Sequence, residues 1–250
     1  MQLPFSTPNV PKIYSLLSVG QRGAGKTVFL VGQYASLRHQ HAKVWLECED
    51  SEAQELMDNV LEYVAKTGEY PPATLKLTNF ELSLKQRHLG KTQMLYQLRW
   101  WDTPGESCQV YNPAFLMMLF HSDGCCLFMD AQALVAAADD AEILDDLLRP
   151  AKSIAEILHS HQLQLPLAMI LTKCDRLQSH APTQQQLAIS LKPLSRFLNS
   201  LGITYKFFES EIPIARTEGG QFTFKTHQPG APLFWLVAEI KKASSSVVSP

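Results

Sequence analysis

The chain has 250 residues, of which 46% are hydrophobic and 18% charged, with a formal net charge of -2. That length suits one sizeable α/β domain, and the balanced charge argues against bulk electrostatic binding to nucleic acid or to an acidic membrane surface. No apolar run approaches the roughly 18 residues that span a bilayer, and the opening MQLPFSTPNV lacks the basic-then-apolar pattern of a secretory signal. Five scattered cysteines read as reduced, buried thiols of a cytoplasmic protein, not as a disulfide framework.

Short apolar runs alternate with longer helical patterns, which predicts an α/β fold with a mostly parallel sheet. In chain order the pattern gives a strand at Ile13–Val19, a helix at Lys26–His39, a strand at Lys43–Glu47 and a helix at Glu52–Lys66. Ser51 and Gln54 have capping-box spacing for that second helix. Its apolar positions Ala53, Leu56, Met57, Val60, Leu61 and Val64 share one face, and Pro71 and Pro72 bar its continuation. Alternating strands at Phe80–His88 and Thr92–Trp101, separated by LGK, predict an antiparallel hairpin. A helix at Pro113–His121, a strand at Gly124–Met129 and a helix at Asp139–His161 come next. Then follow a strand at Leu167–Leu171, a helix at Thr183–Ser200, a strand at Ile203–Phe208 and a final helix at Pro232–Lys242. Residues 1–11 and 243–250 read as tails on a single domain, 12–242.

Some tempting features read as structural. His39 with His41, and His159 with His161, offer too few ligands for a metal site. In DDAEILDD, Ile143, Leu144, Leu147 and Leu148 fall on one helix face, leaving the carboxylates to solvent. Trp100 and Trp101 alternate along their strand and are expected in the cores on opposite faces of the sheet.

Three stretches carry chemistry. Gly20-Gln21-Arg22-Gly23-Ala24-Gly25-Lys26-Thr27 has the spacing of a phosphate-binding P-loop, between a predicted strand and a predicted helix. Glycines let backbone N–H groups converge on phosphate oxygens, and the helix N-terminus adds partial positive charge. Lys26 would reach the β- and γ-phosphates and Thr27 would ligate Mg²⁺. A chance match of this spacing in a chain of this length is on the order of one per cent. Asp102-Thr103-Pro104-Gly105 follows at the end of a strand. Asp102 would hold Mg²⁺ through a water, and Gly105 would offer its N–H to a γ-phosphate. Asp-x-x-Gly alone carries little, since about one chance match is expected, so its strand-end position carries the weight. Thr172-Lys173-Cys174-Asp175 ends another strand. A carboxylate at Asp175 accepts both guanine donors, N1–H and the 2-amino group, whereas adenine presents a lone pair at N1 and would strand the charge. Lys173 would lie over the base and brace the P-loop.

In that order at strand ends, these motifs resemble the Ras-like or translation-factor class of P-loop GTPases. The DTPGE form, the inserted VWLECEDSEAQELMDNV…PPAT segment and the terminal PLFWLVAEI helix resemble, more narrowly, bacterial double-GTPase domains, which are linked to signalling and conflict systems. The resemblance implies a three-layer fold around a mostly parallel six-stranded sheet with its second strand antiparallel, plus an inserted strand–helix segment at about 43–72. It implies GTP hydrolysed to GDP with Mg²⁺ by a molecular switch, and a protein effector or regulator, for which the inserted segment is the expected face. It also implies a switch threonine that meets Mg²⁺ and the γ-phosphate. Thr74 is the first choice and Thr78 the second. A further guanine motif falls at FFESEI, where Ser210 fits but Glu211 and Ile212 depart from the pattern. Glu106 stands where many such GTPases carry Gln to orient the attacking water. A carboxylate accepts from water but cannot donate to the transition state, so either slow intrinsic hydrolysis is expected or Glu106 points to solvent and takes no part. Arg22 stands inside the P-loop where glycine is usual. These departures leave open a GTP-binding interaction module with little turnover. A P-loop ATPase would require the Thr-Lys-x-Asp match to be accidental.

Overall fold

The computed structural model of the protein describes residues 12–38, 43–72, 78–88, 91–103, 111–177 and 181–246. The chain order is β1 (Ile13–Gly20), α1 (Lys26–Leu37), β2 (Val44–Cys48), α2 (Ser51–Thr67), β3 (Thr78–His88), β4 (Lys91–Asp102), α3 (Pro113–Phe120) and β5 (Gly124–Asp130). It continues with α4 (Ala131–Ala136), α5 (Ala141–Ser160), β6 (Leu167–Thr172), α6 (Ala181–Ser200), β7 (Tyr205–Glu209), β8 (Ile214–Arg216), β9 (Phe222–Phe224) and α7 (Ala231–Ser246). Seven strands form one sheet in the order β2-β3-β4-β1-β5-β6-β7. Only β3 runs against the rest, antiparallel to both β2 and β4, while the remaining neighbours pair in parallel. The seventh strand is β2. It comes from the inserted segment and extends the edge beyond β3.

Parallel strands joined by helices must be covered on both faces, which is why β5 and β6 read as unbroken apolar runs. Leu17, Val19, Cys125, Leu127, Met129, Leu167, Met169 and Leu171 face one core, closed by α3, α4, α5 and α6. Leu16, Cys126, Phe128, Ala168 and Ile170 face the other, closed by α1, α2 and α7. Trp100 and Trp101 divide between these two cores as their alternation predicts, Trp100 fully buried and Trp101 partly. The four described cysteines, Cys48, Cys125, Cys126 and Cys174, are buried free thiols.

Where the structure departs from expectation, local chemistry explains it. Helix α2 is capped by Asp50, whose carboxylate accepts from Glu52 N at 3.0 Å, and Ser51 is the first helical residue. An Asp carboxylate is suited to that position because it accepts from the free N–H groups at the positive helix end. Ile143 is 53% exposed, since it sits in the first turn of α5 at the margin of the apolar stripe. Leu148 is buried and Leu144 and Leu147 are partly so. Two elements were not anticipated. The single turn α4 starts directly after β5, with Asp130 capping it through Gln132 N and Ala133 N. The β8–β9 hairpin stands outside the main sheet and is too short for periodicity to reveal. Helix α7 runs to Ser246, four residues past the expected end, because nothing in KKASSS breaks a helix.

Phe29, on the first turns of α1, links the phosphate loop to the core. Its ring lies 6.2 Å from Trp100 and 5.2 Å from Phe128 between centroids. Replacing Phe29 with Ala should cost about 3–5 kcal/mol of unfolding free energy by urea titration. A loss under about 1 kcal/mol would mean that this aromatic cluster does not anchor α1.

Candidate functional site

Strand β1 runs to Gly20, and α1 begins at Lys26, so the loop between them is pinned at both ends. A Cβ at position 20 would meet the Phe128 carbonyl oxygen at 2.7 Å, and Gly25 holds φ 82° as the residue before α1. Neither position admits a larger residue without strain. Lys26 is buried, and its Nζ donates to the carbonyls of Gly20 at 2.9 Å and Gln21 at 3.2 Å. The amine therefore points back into its own loop. Thr27 Oγ1 donates to Asp102 Oδ2 at 2.6 Å, and Ser18 Oγ donates to Oδ1 at 3.1 Å. Parallel register brings this about, since Ser18 on β1 stands opposite Asp102 on β4.

Asp102 is only 1% exposed. Burial raises its pKa above the ordinary carboxylate value, while the Thr27 hydrogen bond, the Lys26 charge and the Ser18 hydrogen bond oppose the rise. Thr103 is also buried and donates from Oγ1 to the Ser18 carbonyl. Thr27 and Asp102 are hard oxygen donors, the kind that suits a small divalent cation completed by ligand and water oxygens. Among the described residues no cluster of three or more His, Cys, Asp or Glu could hold a metal without such help.

The second group arrives from β6. Thr172 is buried, and its Oγ1 donates to Ala24 O at 2.9 Å and to Met129 O at 3.1 Å. Thr172 thus joins the loop after β6 directly to the phosphate loop. Lys173 adopts φ 60° and pairs through Nζ with Asp130. Thr172 thus bonds the P-loop directly, while Lys173, expected to brace that loop, pairs with Asp130 at the end of β5. Asp175 is exposed on a 3-10 turn, Cys174–Arg176. Ser210 follows β7, is buried, and donates from its backbone N to Leu171 O at 2.8 Å.

One cavity of about 250 Å³ gathers these parts. Arg22, Gly23, Ala24, Gly25, Lys26 and Thr27 line one end, with Thr103 beside them, and Thr172, Lys173, Asp175 and Ser210 line the rest. A family model described as Double-GTPase 2 matches residues 18–221. The chain belongs to this double-GTPase family. Membership implies guanine-nucleotide binding, and the cavity has both the cationic loop and the carboxylate that such a ligand calls for. No curated protein matches the chain.

Of the residues singled out from the sequence, Thr74, Gly105 and Glu106 lie outside the described residues. Thr78, the alternative to Thr74, opens β3 opposite Asp102. The double-GTPase cavity also has walls that were not anticipated. Tyr70, Pro71 and Pro72 reach it from the inserted segment, and Arg176 and Ile212 from the loops after β6 and β7. Pro71 and Pro72 had a visible signal, but only as helix breakers. Ser18 and Asp130 had none, since their partners are set by strand register. Among the described residues no helix is long and apolar enough to cross a membrane.

Because folding raises the proton affinity of Asp102, its unfavourable contribution is absent below the ordinary value of 3.8 and grows as pH climbs above it. In metal-free buffer near pH 7, Asp102→Asn should therefore raise Tm, on the order of 2–4 °C. The gain should shrink as pH falls toward 4, and calorimetry across that range checks it. A variant less stable at neutral pH would refute the burial argument.

Proposed function

We propose that this double-GTPase domain binds GTP with Mg²⁺, hydrolyses it slowly to GDP and phosphate, and acts as a molecular switch within the single domain spanning 12–242. What supports the proposal is the meeting of the P-loop and the Thr172–Asp175 loop around one cavity, with the strand-end Asp102 bonded behind it to Thr27. Gly20, Gln21, Arg22, Gly23, Ala24 and Gly25 would wrap the phosphates with backbone N–H groups. Lys26 would exchange its contacts with the loop carbonyls for β- and γ-phosphate oxygens. Thr27 and Asp102 would hold the Mg²⁺, with Thr74 or Thr78 added in the GTP state, and that ion supplies charge neutralisation at the phosphate oxygens.

At the other end, Asp175 would accept from guanine N1–H and the 2-amino group, with Lys173 over the base and Ser210 closing the edge. Water is the nucleophile, entering at the γ-phosphorus as the bond to the β–γ bridging oxygen breaks and GDP departs. Glu106 is the proposed group that positions it, and Gly105 the proposed γ-phosphate donor. Loss of the γ-phosphate removes the ligand of both switch segments and so releases them. The inserted segment remains the proposed face for a protein effector or regulator.

Single-turnover hydrolysis of GTP at saturating protein tests the chemistry. Lys26→Ala should lower the rate at least about 100-fold, the scale of losing one transition-state charge contact. A wild-type chain that binds GTP with no measurable turnover would instead establish the static module that Glu106 and Arg22 suggest. Base identity has its own test. Asn in place of Asp175 offers one donor and one acceptor, which match xanthine O2 and N1–H and mismatch guanine. Asp175→Asn should weaken GTP at least about 100-fold and favour XTP. Unchanged GTP affinity, or tight ATP binding by the wild-type chain, would remove Asp175 from the base site.

A further inference from the structure

A carboxylate that reads two donors on a base must be placed to a fraction of an ångström. Asp175, however, is exposed on a three-residue turn, and that turn's backbone link to the neighbouring loop is long, Cys174 N to Ser210 O at 3.4 Å. A second support reaches it from the inserted segment. Tyr70 Oη donates to the Ile212 carbonyl at 3.0 Å, two residues beyond Ser210. The same ring carries the Arg176 guanidinium, with Cζ 5.2 Å from its centroid, one residue beyond Asp175. The ring also stacks with Phe224 on β9, with centroids 6.3 Å apart at 28°. One half-buried side chain thus touches the loop after β6, the loop after β7 and the accessory hairpin, and it lines the cavity itself.

The backbone around Tyr70 is suited to a fixed support. Gly68, the residue after α2, has φ 69° and packs so closely on Phe222 that a Cβ there would come within 3.0 Å of the ring. Pro71 and Pro72 follow, with φ set by their rings and Tyr70 held extended before them. Burial and the nearby Asp175 charge push the Tyr70 pKa above its ordinary value, so the hydroxyl stays a donor at physiological pH.

We propose that Tyr70, with Arg176 seated on its ring, is a specificity-determining positioning residue that holds the Asp175 turn and the Ser210–Ile212 loop at the spacing required to read guanine. The inserted strand–helix segment is then a working part of base recognition as well as a partner-facing surface. This proposal rests on the assignment of Asp175 to the base, and its test separates the two.

The probe pair is GDP and inosine diphosphate, which lacks only the 2-amino group. Affinities are measured by competition against a fluorescent GDP on the full chain, with tripolyphosphate as a ligand for the P-loop alone. The wild-type chain should prefer GDP at least about tenfold, the scale of one hydrogen bond to a charged acceptor. Tyr70→Ala and Arg176→Ala should each compress that preference to about twofold, with tripolyphosphate affinity within about twofold of wild type. Tyr70→Phe keeps the ring and loses the Ile212 bond, so its preference should fall between the two. A preference retained in both alanine variants overturns the proposal, as does a parallel loss of GDP and tripolyphosphate affinity, which a merely structural role would produce. A wild-type chain that does not distinguish the two diphosphates would overturn the Asp175 assignment instead. Should Tyr70→Ala fail to fold by circular dichroism, Arg176→Ala, altered at an exposed side chain, decides the question alone.

Discussion

The arrangement depends on a carboxylate that folding would rather not bury. Asp102 ends β4 with almost no exposure, and the two hydroxyls and one ammonium around it do not fully offset the loss of water. Ser18 and Thr27 reach it only because β1 pairs with β4 in parallel and α1 begins immediately after the loop. Beside them, Lys26 folds back on the carbonyls of its own loop. A site of this kind holds its negative charge in readiness for a cation and its ammonium in readiness for an anion. On the proposed function, a bound metal–phosphate group would satisfy both better than the loop itself does.

Parallel topology does the remaining assembly. Strands β4, β1, β5 and β6 all point the same way, so the loops that follow them open on one edge of the sheet. In such sheets the crevice beyond the strand ends is the natural ligand site. Asp102, the P-loop, Asp130 and the Thr172–Asp175 loop need no special folding to meet there. What they need is mutual registration, and the Thr172 hydroxyl bonded to Ala24 O supplies it at 2.9 Å. Threonine at that position therefore does more than start the Thr-Lys-x-Asp motif, since it joins the end of β6 to the P-loop.

The features visible in the sequence were those with local signals. Periodicity located the seven sheet strands within about three residues, because a parallel sheet imposes continuous apolar runs and a hairpin imposes alternation. The P-loop, Asp102 and Asp175 were visible because the roles proposed for them require particular residue types at strand ends. Ser18 and Asp130 were not, because a serine inside a strand and an aspartate before a turn are unremarkable until register gives them partners. The ion pair that Lys173 makes was hidden for the same reason. The charge of the lysine was plain, but the carboxylate that claims it lies 43 residues away. The hairpin of β8 and β9 escaped because three-residue strands carry no period to detect.

Tyr70 is the extreme case of a residue whose meaning is wholly tertiary. On the page it is one tyrosine before Pro71 and Pro72, and those prolines are fully explained as the end of α2. In space, α2 already ends at Gly68 and the stiffness of the prolines falls beside the ring, which meets residues separated from it by more than a hundred positions in sequence. An insertion that only decorated the edge of the sheet would need β2 and α2 and nothing more. This one continues past α2 to line the cavity. Helix α2 is joined through Gly68 and Tyr70 to the two loops that flank Asp175, so the proposed partner on the inserted segment and the proposed base in the cavity would act on the same contacts. By linkage, whatever such a partner does to the nucleotide's affinity, the nucleotide must do to the partner's.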